Sequence, residues 1–297
     1  MAVALGLLVA LFYGSGDFFG GLAAKESRAS AVVIGSFTVS AACLTLITVV
    51  WAIVGRLPSP GSEDLLIGVS TGLIGPVSLG LLYRGLAMGR MSVMAPVTAV
   101  VAAIVPFTWG LLHGERPPTV AIMGVVVALV AVGLIAGAPA HEDDTAPVPD
   151  PTTHAAAGVI PTAIASGFGF GMIFILLAQT SDHAGLWPLL VARIVAVTIA
   201  VTALVAWSRY RKVDYRPAIS PVSWRMVAIS GVFDITANGI YLAAAQRGLL
   251  SIVAVLSSLY PASTVVLARV VLGERLHRAQ LAGLALATAG VVAMATA

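Results

Sequence analysis

Apolar stretches of about twenty residues alternate with short polar breaks along the whole chain. A helix needs about 20 apolar residues, at 1.5 Å each, to cross roughly 30 Å of hydrocarbon. Ten stretches meet that requirement, at 2–24, 30–54, 65–88, 91–112, 118–138, 157–179, 186–207, 224–246, 250–272 and 279–297. Lipid offers backbone groups no partners, so helices are the only open-chain way across. The breaks carry turn chemistry: Gly55 to Gly61 includes Pro58 and Pro60, and Pro117 and Pro118 open the fifth stretch. An acidic, proline-rich segment at 139–156 has nothing to bury and reads as a linker.

The pattern also repeats. Displaced by about 159 positions, Gly72 falls on Gly231, Gly80 on Gly239, Gly89 on Gly248 and Ser92 on Ser251. Gly114-Glu115-Arg116 likewise falls on Gly273-Glu274-Arg275. Each copy holds five stretches, and an odd number sends the second copy into the membrane from the opposite side. The expectation is an all-α integral membrane protein whose ten transmembrane helices form two inverted five-helix repeats around a central cavity. The first repeat covers 1–138 and the second 157–297.

Composition agrees with this. Hydrophobic residues make up 59% of the 297 and charged residues 10%, too few charges to cover a water-facing surface. The net charge of +3 is spread over short loops, which argues against a nucleic-acid partner and for the lipid bilayer. Cys43 is the only cysteine, so an intrachain disulfide or a cysteine-built metal site is impossible. No phosphate-binding loop, dinucleotide fingerprint, HExxH pair or Gly-x-Ser-x-Gly elbow occurs, and no cofactor is expected. Loops on one side of the predicted membrane hold about ten Lys and Arg against three on the other, which would place both termini outside the cytoplasm.

Charges inside the predicted spans are the candidates for chemistry, because each costs roughly 2.5–3.5 kcal/mol at mid-helix. Asp234 lies near the centre of the eighth span, with Gly231, Asn238 and Tyr241 on the same helical face. Tyr13 and Asp17 form a similar pair in the first span. Arg193, near the middle of the seventh, is the expected counter-charge; Arg84 and Arg269 lie closer to helix ends and can reach the headgroups. These residues predict a cavity wall for a small-molecule substrate, with Asp234 or Asp17 able to carry a proton. A lipid-modifying enzyme would need His, Asp or Ser clustered at one depth. A non-transporting scaffold gives no reason for buried carboxylates.

The segments Tyr83-Arg84-Gly85-Leu86-Ala87-Met88-Gly89-Arg90 through Pro96, followed by Gly114-Glu115-Arg116, resemble the EamA-type repeat of the drug/metabolite transporter superfamily. Gln246-Arg247-Gly248-Leu249-Leu250-Ser251 and Gly273-Glu274-Arg275 form the second copy. The resemblance implies a plasma-membrane exporter of small metabolites, amino acids or drugs, with the fifth and tenth helices at the periphery. It implies a role for a lysine at Lys25, which the second copy does not keep near Ala178. It also implies cytoplasmic termini, opposite to the charge tally.

Overall fold

The computed structural model describes residues 1–27, 29–55, 58–87, 91–136, 154–211, 221–273 and 276–296. Every regular element among them is an α-helix. These are α1 (Ala2–Glu26), α2 (Ala29–Ile53), α3 (Ser62–Ala87), α4 (Met91–Leu112), α5 (Thr119–Ala136) and α6 (His154–Ala178). There follow α7 (Trp187–Arg211), α8 (Pro221–Ala245), α9 (Leu250–Ser257), α10 (Tyr260–Leu272) and α11 (Arg278–Ala295). Of the predicted linker, 139–153 lies outside the described residues and 154–156 open α6.

The ten predicted spans reappear with ends within a few residues, and one of them is divided. The stretch 250–272 holds α9 and α10, separated at Ser258 and Leu259. Pro261 has no N–H to return to the carbonyl of Ser257 and so favours the first turn of a new helix. The Ser258 and Leu259 amides turn back to the carbonyls of Ala254 and Leu256.

Eight runs among the described residues are long and apolar enough to cross a membrane, counting α9 and α10 as one; shorter apolar runs lie in α4 (97–112) and α5 (119–135). Large apolar side chains cover the outside, among them Met123 at 64% exposed, Val77 at 60% and Phe168 at 54%. A water-facing surface would not carry so much contiguous apolar area, but a lipid-facing one requires it. The chain is a multi-span membrane bundle.

Small residues fill the inside. Ala99, Ala103, Ala128, Ala131 and Ser166 are fully buried, which lets the backbones approach closely where no hydrophobic effect drives helices together. The helices of the two sequence halves interleave. α1 packs on α8, α9 and α10; α6 packs on α3 and α4; α3 meets α7, α2 meets α8, and α5 meets α11.

Two crossings depend on glycine. A Cβ on Gly72 would stand 2.6 Å from the Ala192 carbonyl of α7, and one on Gly231 would stand 2.5 Å from the Ser36 carbonyl of α2. Backbone cannot give way as a flexible side chain can. Gly231→Ala is therefore expected to cost about 1–3 kcal/mol, the range for overpacking. Thermal unfolding in detergent reads this directly, and an unchanged midpoint would show slack at the α2–α8 crossing.

The repeated Gly-Glu-Arg motif supplies helix ends. Gly114 (φ +94°) follows α4 and Gly273 (φ +71°) follows α10, both in the left-handed region that glycine adopts without penalty.

Candidate functional site

The polar stripe of α8 fans out to four neighbouring helices. Its first member, Gly231, accepts a hydrogen bond at its carbonyl from Ser40 Oγ of α2 (2.7 Å). One turn on, Asp234 forms a salt bridge with α7: Arg193 Nη2 donates to Asp234 Oδ2 at 2.5 Å. The two side chains are 14% and 26% exposed, so this is a largely desolvated pair in the middle of the bundle. Asn238 Nδ2 donates to the Asp234 carbonyl (2.8 Å) and to Oδ1 (3.3 Å), and Ser40 Oγ lies 3.4 Å from Oδ2. The Asn238 side-chain oxygen then accepts from Tyr13 Oη of α1 (3.0 Å). Tyr241 is fully buried, and its hydroxyl donates to the Phe174 carbonyl of α6 (3.1 Å).

Thus Tyr13, Arg193, Asp234 and Asn238 form one connected network. Tyr241 joins it through an aromatic chain: its ring lies 4.6 Å from that of Phe174, which lies 6.2 Å from that of Tyr13. Helical spacing of 3.6 residues predicts this common face, and each member reaches a different helix because the face looks into the bundle. The predicted counter-charge Arg193 is where its depth in the sequence placed it. Asp17 stands apart. It is exposed, fifteen residues along α1, and makes no hydrogen bond or ion pair among the described residues. It is close enough to Tyr13, Asp234 and Tyr260 for their charges to act on one another.

Three participants escape sequence reasoning. Phe37 of α2 presents its ring 4.7 Å from the Arg193 guanidinium, a cation–π contact. Ser40 of α2 and Phe174 of α6 complete the contacts of the stripe. None of the three carries a charge, so nothing in an apolar helix marks them. Of the embedded arginines set aside as headgroup-reaching, Arg269 is exposed, and the Arg84 side chain lies outside the described residues, as does that of Lys25.

Two shallow apolar concavities among the described residues lie elsewhere. One is an apolar groove between α3 and α6 lined by Leu73, Val77 and Phe168, and the other lies on α8 at Ile229 and Val232. Both face outward, where acyl chains would fill them. No group of three or more metal-ligating side chains occurs among the described residues.

One end of the bundle is tied across its halves. Glu115, just past α4, accepts from the Leu250 amide (Oε1, 2.6 Å) and the Ser251 amide (Oε2, 3.0 Å), the first free N–H groups of α9. Asp64, in the first turn of α3, accepts from the Ser181 amide and hydroxyl, both at 2.8 Å. Trp187 Nε1 donates to the Pro58 carbonyl (3.0 Å). α3 and α4 are consecutive, separated by three positions in sequence, and pack on each other, so α3 begins at the end where α4 finishes. The three contacts therefore share one end, and each links a residue before the linker to one after it.

Residues 158–296 match the EamA-like transporter family. A solved crystal structure superposes on 98% of this chain and 95% of its own with a TM-score of 0.71, at 17% identity, which speaks to the fold. No functionally described protein matches the chain in sequence.

Proposed function

Because residues 158–296 match the EamA-like transporter family, we propose that the chain belongs to that family and is a plasma-membrane exporter of a small organic solute. It works by alternating access and draws on the proton gradient. The observation that carries this reading is the intramembrane network of Tyr13, Asn238, Asp234 and Arg193. Its members come from both halves of the chain, where a solute bound between the halves would meet them. A charge pair with hydrogen-bonding groups at mid-membrane is costly to keep without a polar cargo to recognise.

The inverted-repeat architecture rests on two supports. Exchanging each helix of the first half for its counterpart carries the most extensive pairings onto one another: α1 on α8 becomes α6 on α3, and α3 on α7 becomes α8 on α2. The repeat-related Gly72 and Gly231 lie at corresponding crossings. Such a pair of halves can rock about a shared midplane site. The ties at Glu115, Asp64 and Trp187 then correspond to a state closed at that end.

The test is an untargeted comparison of solutes inside and outside cells that make the wild-type chain or none. Export predicts at least one organic solute enriched outside only when the protein is made. Enrichment inside instead would replace export by uptake. No change in any solute, with the protein verified in the membrane, would remove a native metabolite as the cargo.

A further inference from the structure

We infer that Asp17, rather than Asp234, is the proton-carrying carboxyl of this site; the inference rests on the transport reading above and specifies its coupling residue.

Two carboxyls concern this site, Asp234 inside the network and Asp17 beside it, and their surroundings differ in kind. Asp234 has every charge requirement met. Arg193 donates to Oδ2, Asn238 donates to Oδ1, and Ser40 lies beside Oδ2. A proton arriving on Asp234 would have to displace the guanidinium and leave Arg193 without a counter-ion in a desolvated setting. Removing one partner of such a pair costs about 3–5 kcal/mol, which makes Asp234 a poor place to load and unload a proton. It acts instead as a positioning residue, holding Arg193 and, through Asn238, the Tyr13 hydroxyl.

Asp17 has no such partner among the described residues. The titratable groups that act on it, or it on them, are Tyr13 on its own helix, Asp234 on α8 and Tyr260 on α10, and the adjoining Gly16 and Gly14 pack on the backbones of Asp234 and Tyr260. α9 contains no titratable residue and α2 only Cys43. The cations of the remaining neighbours are remote along their helices: Arg269 is nine residues beyond Tyr260, Arg225 nine before Asp234, and Arg278 opens α11. The described charges around Tyr13 are thus one guanidinium and two carboxyls, and the guanidinium is already committed. One negative charge is left over, and it falls on Asp17.

The exposure of Asp17 decides what balances it. The residue lies well inside a membrane-spanning helix, yet its side chain is open rather than packed. A bare carboxylate against acyl chains costs roughly 2.5–3.5 kcal/mol. The open face must therefore meet water in the solute pathway, or the carboxyl must carry a proton. A residue that alternates between these two settings as the halves rock is a proton carrier. The same vacancy means that a cationic cargo would compete with the proton for Asp17.

Infrared difference spectra recorded as a function of pH, on the full chain in an ester-free maltoside detergent, test this with the proton itself as probe. A protonated carboxyl band is expected to titrate in the wild type, to vanish in Asp17→Asn and to return with a displaced midpoint in Asp17→Glu. A band that persists unchanged in Asp17→Asn assigns the proton to another group and overturns the inference. The second arm uses proteoliposomes and the solute singled out in the export comparison. With an imposed pH gradient, wild type and Asp17→Glu are expected to accumulate it, while Asp17→Asn only equilibrates it. Accumulation that follows a sodium gradient and ignores pH would also overturn the inference. A titrating Asp17 in a wild-type protein that moves no solute would overturn the transport reading and leave the proton site standing.

Discussion

Arg193→Ala is expected to lower the stability of the folded bundle by about 3 kcal/mol, the lower part of the range for breaking a buried ion pair, since both partners keep some exposure. The cost arises from what remains. Asp234 would keep its bonds from Asn238 and Ser40 but lose its only cation among the described residues, and a lone carboxylate at this depth is poorly solvated. Asp234→Ala leaves the mirror-image problem, eased slightly because the Phe37 ring still faces the guanidinium. The pair replaced together, as Arg193→Met with Asp234→Leu, removes both charges and fills the space with apolar atoms. That variant is expected to be more stable than either single one, with a coupling of about 2–3 kcal/mol in the double-mutant cycle. The protein supplies its own readout. Cys43 is the sole cysteine and packs against the cluster containing Leu189, Leu190 and Tyr241, so its labelling by a thiol-reactive dye on heating reports loss of that core. Additive effects of the two single variants would falsify a coupled pair. Transport separates the roles further: the stable double variant should fold and yet fail to move solute.

This network was half legible in the sequence, and the boundary is physical. A charge in an apolar helix is conspicuous because lipid penalises it, so Asp234, Asp17 and Arg193 stand out from their flanks. Helical geometry then extends the pattern to Asn238 and Tyr241. It cannot say that the Tyr241 hydroxyl turns to the Phe174 carbonyl, because that depends on how α6 lies against α8. Nor can it separate Asp17 from Asp234: both are acids in apolar helices, and only the packed bundle shows that one is paired and one is not. The spans were legible because hydropathy and length determine them, as at Met91–Leu112. The division of 250–272 was not, because hydropathy does not register hydrogen bonds and α9 and α10 are both apolar. Pro261 was the available signal, legible as a kink though not as the start of a second helix. Asp64 lies just before the predicted start of the third span, and its partner Ser181 is 117 positions away, beyond any local pattern.

Glu115 carries the second large effect. The sequence repeat marks its Gly-Glu-Arg motif as architectural, and the structure gives that role a specific form. Its two carboxylate oxygens cap separate amides at the start of α9, an eight-residue helix with seven buried residues that cannot turn those amides to water. Hydrogen bonds to a charged group contribute about 1.5–3 kcal/mol each. Glu115 is itself partly exposed, so Glu115→Ala is expected to cost about 2–4 kcal/mol for the two together. Glu115→Gln keeps one acceptor oxygen and the shape while losing the charge, and should cost less than half as much. Hydrogen exchange at Leu250 and Ser251 measures this locally. Protection there should fall in both variants, more in Glu115→Ala, while α5 and α11, which pair with each other, stay unchanged. Uniform loss of protection throughout the bundle would instead mean that the contact is needed to fold at all. The functional consequence follows from where the tie lies. It joins the two halves at the same end as Asp64 with Ser181, so weakening it shifts the balance toward the state open at that end. A single cysteine at Ser251 in a Cys43→Ala background should then react faster with a membrane-impermeant reagent when Glu115 is Gln. Equal rates would show that the tie stabilises α9 without governing access.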